Sequence, residues 1–340
     1  MYGKWQRAYE KRRVRLKRSK KGLDIKMEIY FAPMEGITGY VYRNAFHSLY
    51  SGVDKYFTPF LSPNQNRVIN PKEKRDIQPE HNKGMDVVPQ ILTNNSELFI
   101  RAAKELEEIY GYKEVNLNLG CPSRTVTAKG KGAGFLGKRE ELDAFLDKIF
   151  EKVNINISIK TRIGVESQEE FPYLLEIYNK YPLKELIIHP RLQRDFYKGK
   201  PNWKEFARAV KESPFPLCYN GDIFTVGDYE HLKREFPRIE RIMLGRGLLR
   251  NPMLSEILKK SGEICESDKK RLWIFHNRLY GAYREVMSGD RNVLFKMKEF
   301  WAYSGYSFPG EEKMLKKIKK ASKLKDYEQA VDNLFGMERE

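Results

Sequence analysis

From about residue 28 to residue 255, short apolar runs alternate with longer amphipathic stretches. Eight of the runs have the length and composition of strands: Ile29–Pro33, Val53–Thr58, Asp86–Leu92, Glu114–Leu119, Ile155–Thr161, Glu185–His189, Leu217–Asn220 and Arg241–Gly245. Between them, Ser96–Tyr110, Glu140–Lys152, Glu169–Lys180 and Trp203–Lys211 return apolar residues at helical spacing. This alternation predicts an α/β fold, and eight β/α units in roughly 230 residues is the size of a TIM (β/α)8 barrel. A doubly wound sheet is the structural alternative, and the strand count favours the barrel.

Beyond about residue 265 the period changes. Leu272, Phe275, His276, Leu279, Tyr283 and Val286 recur at helical spacing, then Leu294, Met297, Phe300 and Trp301, then Met314, Leu315 and Ile318, then Tyr327, Ala330, Val331, Leu334 and Phe335. Four such segments joined by short loops predict a C-terminal four-helix bundle. The expected organisation is an N-terminal extension over 1–26, a barrel domain over 27–260 and a helical domain over 261–340. Residues 1–26 show little periodicity. They either stay mobile until they meet an anion or are non-native, Met27 then being the true start.

Composition adds a partner class. The net charge of +17 far exceeds the roughly 2–8 charges that solubility asks of a small domain, and it favours a polyanion. The charge is clustered: residues 1–26 hold eleven Lys or Arg against two acids, and residues 313–325 hold seven lysines and no acid. Nucleic acid, a membrane surface and the ribosome would all attract such clusters. No stretch approaches the roughly 20 apolar residues of a membrane helix, and the cationic head lacks the apolar core of a secretory signal. Three cysteines, Cys121, Cys218 and Cys265, make no disulfide framework and fit a reducing, cytoplasmic setting.

In a barrel enzyme the chemistry lies at the carboxyl ends of the strands. There the sequence places Ala32-Pro33-Met34-Glu35-Gly36, Gln90, Asn118-Leu119-Gly120-Cys121-Pro122-Ser123, Lys160-Thr161-Arg162, His189-Pro190-Arg191, Asn220-Gly221-Asp222 and Gly245-Arg246-Gly247. The loops after the seventh and eighth strands, with Gly221, Gly245 and Arg246, are read as a phosphate site. Gly132 to Lys138 matches most of a P-loop but continues with Arg139 and does not follow a strand directly, so a flexible glycine-rich lid is expected instead. Cys121 sits between Gly120 and Pro122 at a strand end. Its thiol is a nucleophile if its pKa is depressed and a general acid if it stays protonated. Cys218, inside a strand, reads as a small buried hydrophobe. The five histidines show no close ligand pair and the acids no metal spacing, so no metal is expected. His189 is a candidate for hydrogen bonding, with a structural strand-end role as its rival.

The strand-end motifs, in this order and spacing, resemble those of tRNA-dihydrouridine synthases. The most specific is Asn116-Leu117-Asn118-Leu119-Gly120-Cys121-Pro122-Ser123 with its glycine-rich sequel, and the likeness runs over roughly residues 28–335, including Met297 to Tyr303. The resemblance implies an FMN-binding barrel, a helical domain that grips tRNA, and NADPH as the reductant. By motif, FMN contacts Pro33, Met34, Glu35, Gln90, Lys160, His189, Asn220, Gly221, Asp222, Gly245 and Arg246. Hydride passes from flavin N5 to uracil C6, Cys121 protonates C5, and Asn118 and Arg162 touch the target base. A largely protonated thiol, a cytoplasmic setting, tRNA as partner, no membrane, no metal and a monomer complete the expectation. Glu35 and Gly39 stand where many relatives carry Ala and Asp, which leaves the modified position open. A free-pyrimidine or enone reductase, or a non-catalytic RNA-binding barrel, are the rival readings.

Overall fold

A computed structural model describes residues 27–259 and 268–336. The basic head, residues 1–26, and Cys265 lie outside the described residues. Nine parallel strands, β1 (Glu28–Phe31), β2 (Lys55–Phe57), β3 (Val87–Val88), β4 (Gln90–Ile91), β5 (Glu114–Leu119), β6 (Asn156–Arg162), β7 (Leu186–His189), β8 (Leu217–Tyr219) and β9 (Arg241–Leu244), form one sheet. β1 pairs with both β2 and β9, in register Tyr30 to Lys55 and Tyr30 to Met243.

The ring closes through the third predicted strand, which the structure divides into β3 and β4. Pro89, between them, has no N–H to give to a ladder. β3 pairs with β2 and β4 with β5. The break is bridged where Pro89 O accepts from Asn116 N at 2.9 Å and Gln90 N donates to Thr58 Oγ1 at 3.1 Å. The eight predicted strands are therefore the eight barrel positions, and the doubly wound alternative falls.

Helices cover the outside: α1 (Tyr40–His47), α2 (Pro71–Ile77), α3 (Ser96–Glu108), α4 (Arg124–Thr127), α5 (Arg139–Lys152), α6 (Phe171–Asn179), α7 (Trp203–Glu212), α8 (Val226–Glu235), α9 (Arg246–Arg250) and α10 (Leu254–Lys259). Side-chain caps fix several starts, among them Asn95 accepting from Leu98 N at 3.0 Å and Thr225 in a reciprocal box with Asp228. Most of the apolar core lies between strands and helices.

Inside the barrel, alternate residues of each strand build three layers. Lys55, Glu114, Glu185, Glu28 and Arg241 form an ionic layer at the amino ends, Lys55 Nζ reaching Glu114 at 3.0 Å and Glu185 at 3.4 Å. The middle is mostly apolar: Tyr30, Phe57, Val88, Ile187, Cys218 and Met243 pack together, and Cys218 is the buried hydrophobe its strand position predicts. The third layer, at the carboxyl ends, is polar and faces a cleft.

Beyond the barrel come α11 (Asp268–Val286), α12 (Asp290–Ser304), α13 (Glu312–Lys320) and α14 (Leu324–Phe335). Tyr327 ties three of them, its hydroxyl lying 2.7 Å from His276 Nε2 and 2.8 Å from Trp301 Nε1. Phe275 of α11 docks the group on the barrel, its ring 5.4 Å from both Tyr42 and Tyr50. Of the predicted apolar stripe of α11, Val286 alone is exposed, at the helix end. Among the described residues, no helix is long and apolar enough to cross a membrane.

Candidate active site

At the carboxyl ends of the strands opens a cavity of about 460 Å³. The motif residues given a role in binding or chemistry line it: Pro33, Met34, Glu35, Gln90, Asn118, Cys121, Lys160, Arg162, His189, Asn220, Gly221, Asp222, Gly245 and Arg246. Phe224, Tyr197 and Tyr303 join them, and sequence reasoning assigned these no role. Tyr303 comes from α12, so the helical segment completes the wall.

A chain of amides crosses the barrel beneath the thiol. Asn116 Nδ2 donates to Ser158 Oγ at 3.0 Å, and Gln90 Nε2 donates to Asn116 Oδ1 at 2.8 Å. Asn118 Nδ2 then donates to Gln90 Oε1 at 2.6 Å, while Asn118 Oδ1 accepts from the N–H groups of Gly120 and Cys121 at 3.1 and 3.0 Å. The chain orients the strand end that carries Cys121 and leaves Gln90 and Asn118 one free N–H each. Burial pushes the Cys121 thiol up. The Ser123 backbone, Lys160 and Arg162 offset this only in part.

The glycine-rich sequel is not a lid. Gly132 to Phe135 forms a 3-10 turn whose Ala133 and Phe135 are buried, and Ala133 N donates to Cys121 O at 3.0 Å. Gly132 has φ +57, and a Cβ there would stand 2.8 Å from Cys121 O. Glycine allows the turn to press against the cysteine. The sequence pattern alone does not distinguish a mobile loop from one that must pack closely.

Cations dominate the charged groups. Arg162 donates Nε to Gly120 O at 2.9 Å, Nη1 to Leu192 O at 2.8 Å and Nη2 to Phe196 O at 2.7 Å. Three of its five N–H groups therefore hold backbone. Lys160 has no carboxylate partner among the described residues, and burial followed by Arg162 pulls its ammonium down from 10.5 to about 8. Arg191, buried and given no role by the sequence, donates to both carboxylate oxygens of Asp222, and Arg246 pairs with the same carboxylate at 2.5 Å. Asp222 thus orients two arginines, and its carboxylate would repel an anion. For Arg191, its position two residues after His189 at the strand end gave the only sequence signal. Arg191 Nη1 also faces His189 Nε2 at 3.2 Å. A guanidinium only donates, so Nε2 accepts and the ring proton sits on Nδ1. Burial first, then Arg162, Lys160, Arg191 and Arg246, holds His189 well below its ordinary pKa, so it enters the cleft as a neutral donor. Glu35 is exposed at the rim beside Lys72 at 3.4 Å.

The lowered Lys160 carries a stability prediction. Between about 8 and 10.5 the folded chain binds fewer protons at this site than the unfolded chain, so its contribution to stability rises with pH across that window. The melting temperature of the ligand-free protein, measured against that of Lys160→Met, should shift in favour of the wild type as pH rises from 8 towards 10. A difference independent of pH would contradict the lowered pKa.

The family model of dihydrouridine synthases matches residues 30–336. The chain belongs to the dihydrouridine synthase family. It is 30% identical over 236 residues to the tRNA-dihydrouridine(16) synthase of Pseudomonas putida, covering 67% of this chain and 72% of that protein. With the tRNA-dihydrouridine(16) synthase of Vibrio parahaemolyticus it shares 24% over 318 residues, covering 87% and 93%. Among solved structures, morphinone reductase in complex with tetrahydroNAD overlays with a TM-score of 0.49 at 12% identity, covering 72% of this chain and 89% of that one. As a member of the family the protein is an oxidoreductase, and its curated relatives carry the names of enzymes acting on tRNA. Among the described residues, no group of three His, Cys, Asp or Glu could hold a metal ion.

Proposed function

We infer that this protein reduces the C5–C6 double bond of specific uridines in tRNA, with FMN in the cleft and NADPH as the reductant. The observation that carries this reading is the convergence of fourteen motif residues, from Pro33 to Arg246, on one cationic cleft with a half-buried thiol at its wall. The cleft fits FMN. A Cβ at Gly245 would stand 3.3 Å from Ala32 Cβ and 3.4 Å from Met34 Sδ, so the bare backbone there leaves a bed for a flat ring. Gly221, Gly245, Arg246 and the unpaired first-turn N–H groups of α9 suit a phosphate. Pro33, Met34, Glu35, Asn220 and Asp222 complete the expected surround, Asp222 acting through Arg246.

Reduced FMN supplies the hydride for uracil C6 when bound. Lys160 and the Nδ1–H of neutral His189 would hold such a group and stabilise negative charge on it with little reorganisation. Gln90, with one N–H and one lone pair left, would offer it both a donor and an acceptor. Cys121 holds a proton for C5, Asn118 fixes the thiol's backbone and offers its spare N–H to the base, and Arg162 has two N–H groups left for it. The uridine must be flipped out of the tRNA to reach them. A barrel unit over 27–260 would thus carry the chemistry and a helical unit over 261–340 the tRNA. A monomer is the expected state, and a tRNA substrate supports a cytoplasmic setting.

The test is NADPH-driven turnover on unmodified tRNA transcripts, followed by nuclease digestion and mass spectrometry of each uridine. The expected result is a two-hydrogen gain at defined positions. No gain from a yellow protein would redirect the search to a free pyrimidine or an enone. No gain from a colourless protein would remove the flavin from the account.

A further inference from the structure

Arg250 stands one helical turn beyond Arg246, at the end of α9, and the chemistry above makes no use of it. Its guanidinium lies between two rings, 4.3 Å from the centroid of Phe224 and 3.9 Å from that of Tyr306. Its Nε is buried without a hydrogen-bond acceptor, and among the described residues it has no ion-pair partner. A guanidinium held flat between rings keeps its full charge and its donor edge, while its rotamer freedom is already reduced. Such a group is preorganised for bidentate contact with a phosphate.

The sandwich is one step of a longer strip. From the cleft outward, the Arg246 guanidinium lies 4.6 Å from the Tyr197 ring and 5.5 Å from the Phe224 ring. Arg250 and Tyr306 follow, the latter 64% exposed. Tyr306 sits in the 3-10 turn Gly305–Ser307, and Ser307 Oγ ties that turn to α9 by donating to Arg250 O at 2.6 Å. Gly305 lies against Leu315 of α13, within 3.3 Å of an added Cβ. α13 then exposes Lys313, Lys316, Lys317, Lys319 and Lys320. Positive charge interleaved with aromatic faces thus runs from the cleft to the lysine helix. An extended polyanion with stackable bases uses all of that path, whereas one phosphate of a dinucleotide uses a single arginine.

We propose that Arg250, clamped between Phe224 and Tyr306, binds a phosphodiester of the tRNA strand that carries the flipped uridine, and that Tyr306 offers its open face to a neighbouring base. The proposal rests on the tRNA reading above and adds the contact that leads the strand into the cleft.

The experiment measures tRNA binding to the full chain over a range of KCl concentrations, for wild type, Arg250→Gln, Arg250→Lys and Tyr306→Ala. Arg250→Gln should weaken binding about tenfold at low salt. It should also lower the slope of log Kd against log salt by about one. Arg250→Lys should keep the slope and lose part of the affinity, because an ammonium replaces the fork with a point charge. Tyr306→Ala, an exposed position that leaves folding intact, should weaken binding with the slope retained. Wild-type affinity and slope in both Arg250→Gln and Tyr306→Ala would overturn the proposal. So would unaltered tRNA binding by Arg250→Gln together with a higher NADPH requirement for flavin reduction, which would give the arginine to the dinucleotide. A wild-type protein that fails to bind tRNA at any salt would sink the tRNA reading itself, before any variant is compared.

Discussion

Replacing Cys121 by Ala is expected to slow uridine reduction by about 10²–10⁴-fold, the usual worth of a positioned general acid, while tRNA binding is retained. The thiol is half-buried and its pKa is raised by burial, so at neutral pH it carries the proton that C5 needs. Its backbone is fixed from two sides: Asn118 Oδ1 accepts from its N–H at 3.0 Å, and its carbonyl accepts from Ala133 N at 3.0 Å. The side chain therefore meets the base with little freedom to lose. Single-turnover measurement with mass spectrometry of the product reads the effect. The wild-type rate should stay flat through neutrality and decline only towards the alkaline side, as the thiol loses its proton. Near-normal turnover by Cys121→Ala, or a thiolate titrating well below neutrality, would exclude the cysteine as the acid.

Arg162→Ala should cost stability as well as activity, and this separates it from a simple substrate contact. Its side chain is 1% exposed and bonds the carbonyls of Gly120, Leu192 and Phe196. Leu192 O is the buried one of the three, and left without a donor it costs about 1–3 kcal/mol, with the two part-buried carbonyls adding less. Phe196 has φ +51, a conformation that side-chain-bearing residues adopt at a cost, and Arg162 Nη2 holds it there. Burial pulls the guanidinium down to about 10, which leaves it a cation at neutral pH. Releasing it would free both the Tyr197 loop and the peptide before Cys121. Arg162→Lys should rescue little, since one ammonium cannot span three acceptors in different directions. Thermal melting and turnover should fall together. A variant that melts at the wild-type temperature while binding tRNA less tightly would show that Arg162 serves the substrate alone.

The barrel and the position of its chemistry were legible because strand spacing and strand-end composition are local properties. Glu114–Leu119 was placed to the residue, and the motif residues from Pro33 to Arg246 met in one cleft because a parallel barrel brings all the carboxyl ends to the same face. Several features depend on residues far apart in the chain, and no local pattern carries them. Pro89 splits the third strand, yet the ring closes because Thr58, just past β2, and Asn116 of β5 take up the backbone groups of Gln90 and Pro89. The glycines from Gly132 onward suggest mobility until the carbonyl of Cys121 is seen to occupy the space a side chain would need. Asp222 reads as a ligand-binding acid until Arg191 and Arg246 close on it, and His189 reads only as a candidate for hydrogen bonding until burial and four basic groups hold its ring neutral. The sequence by itself determined which residues stand at the strand ends and which side chains are available for chemistry. Only the tertiary structure decided which of their donors, acceptors and charges are already spent on one another, because burial and charge neighbours arise only when distant segments share the same small volume.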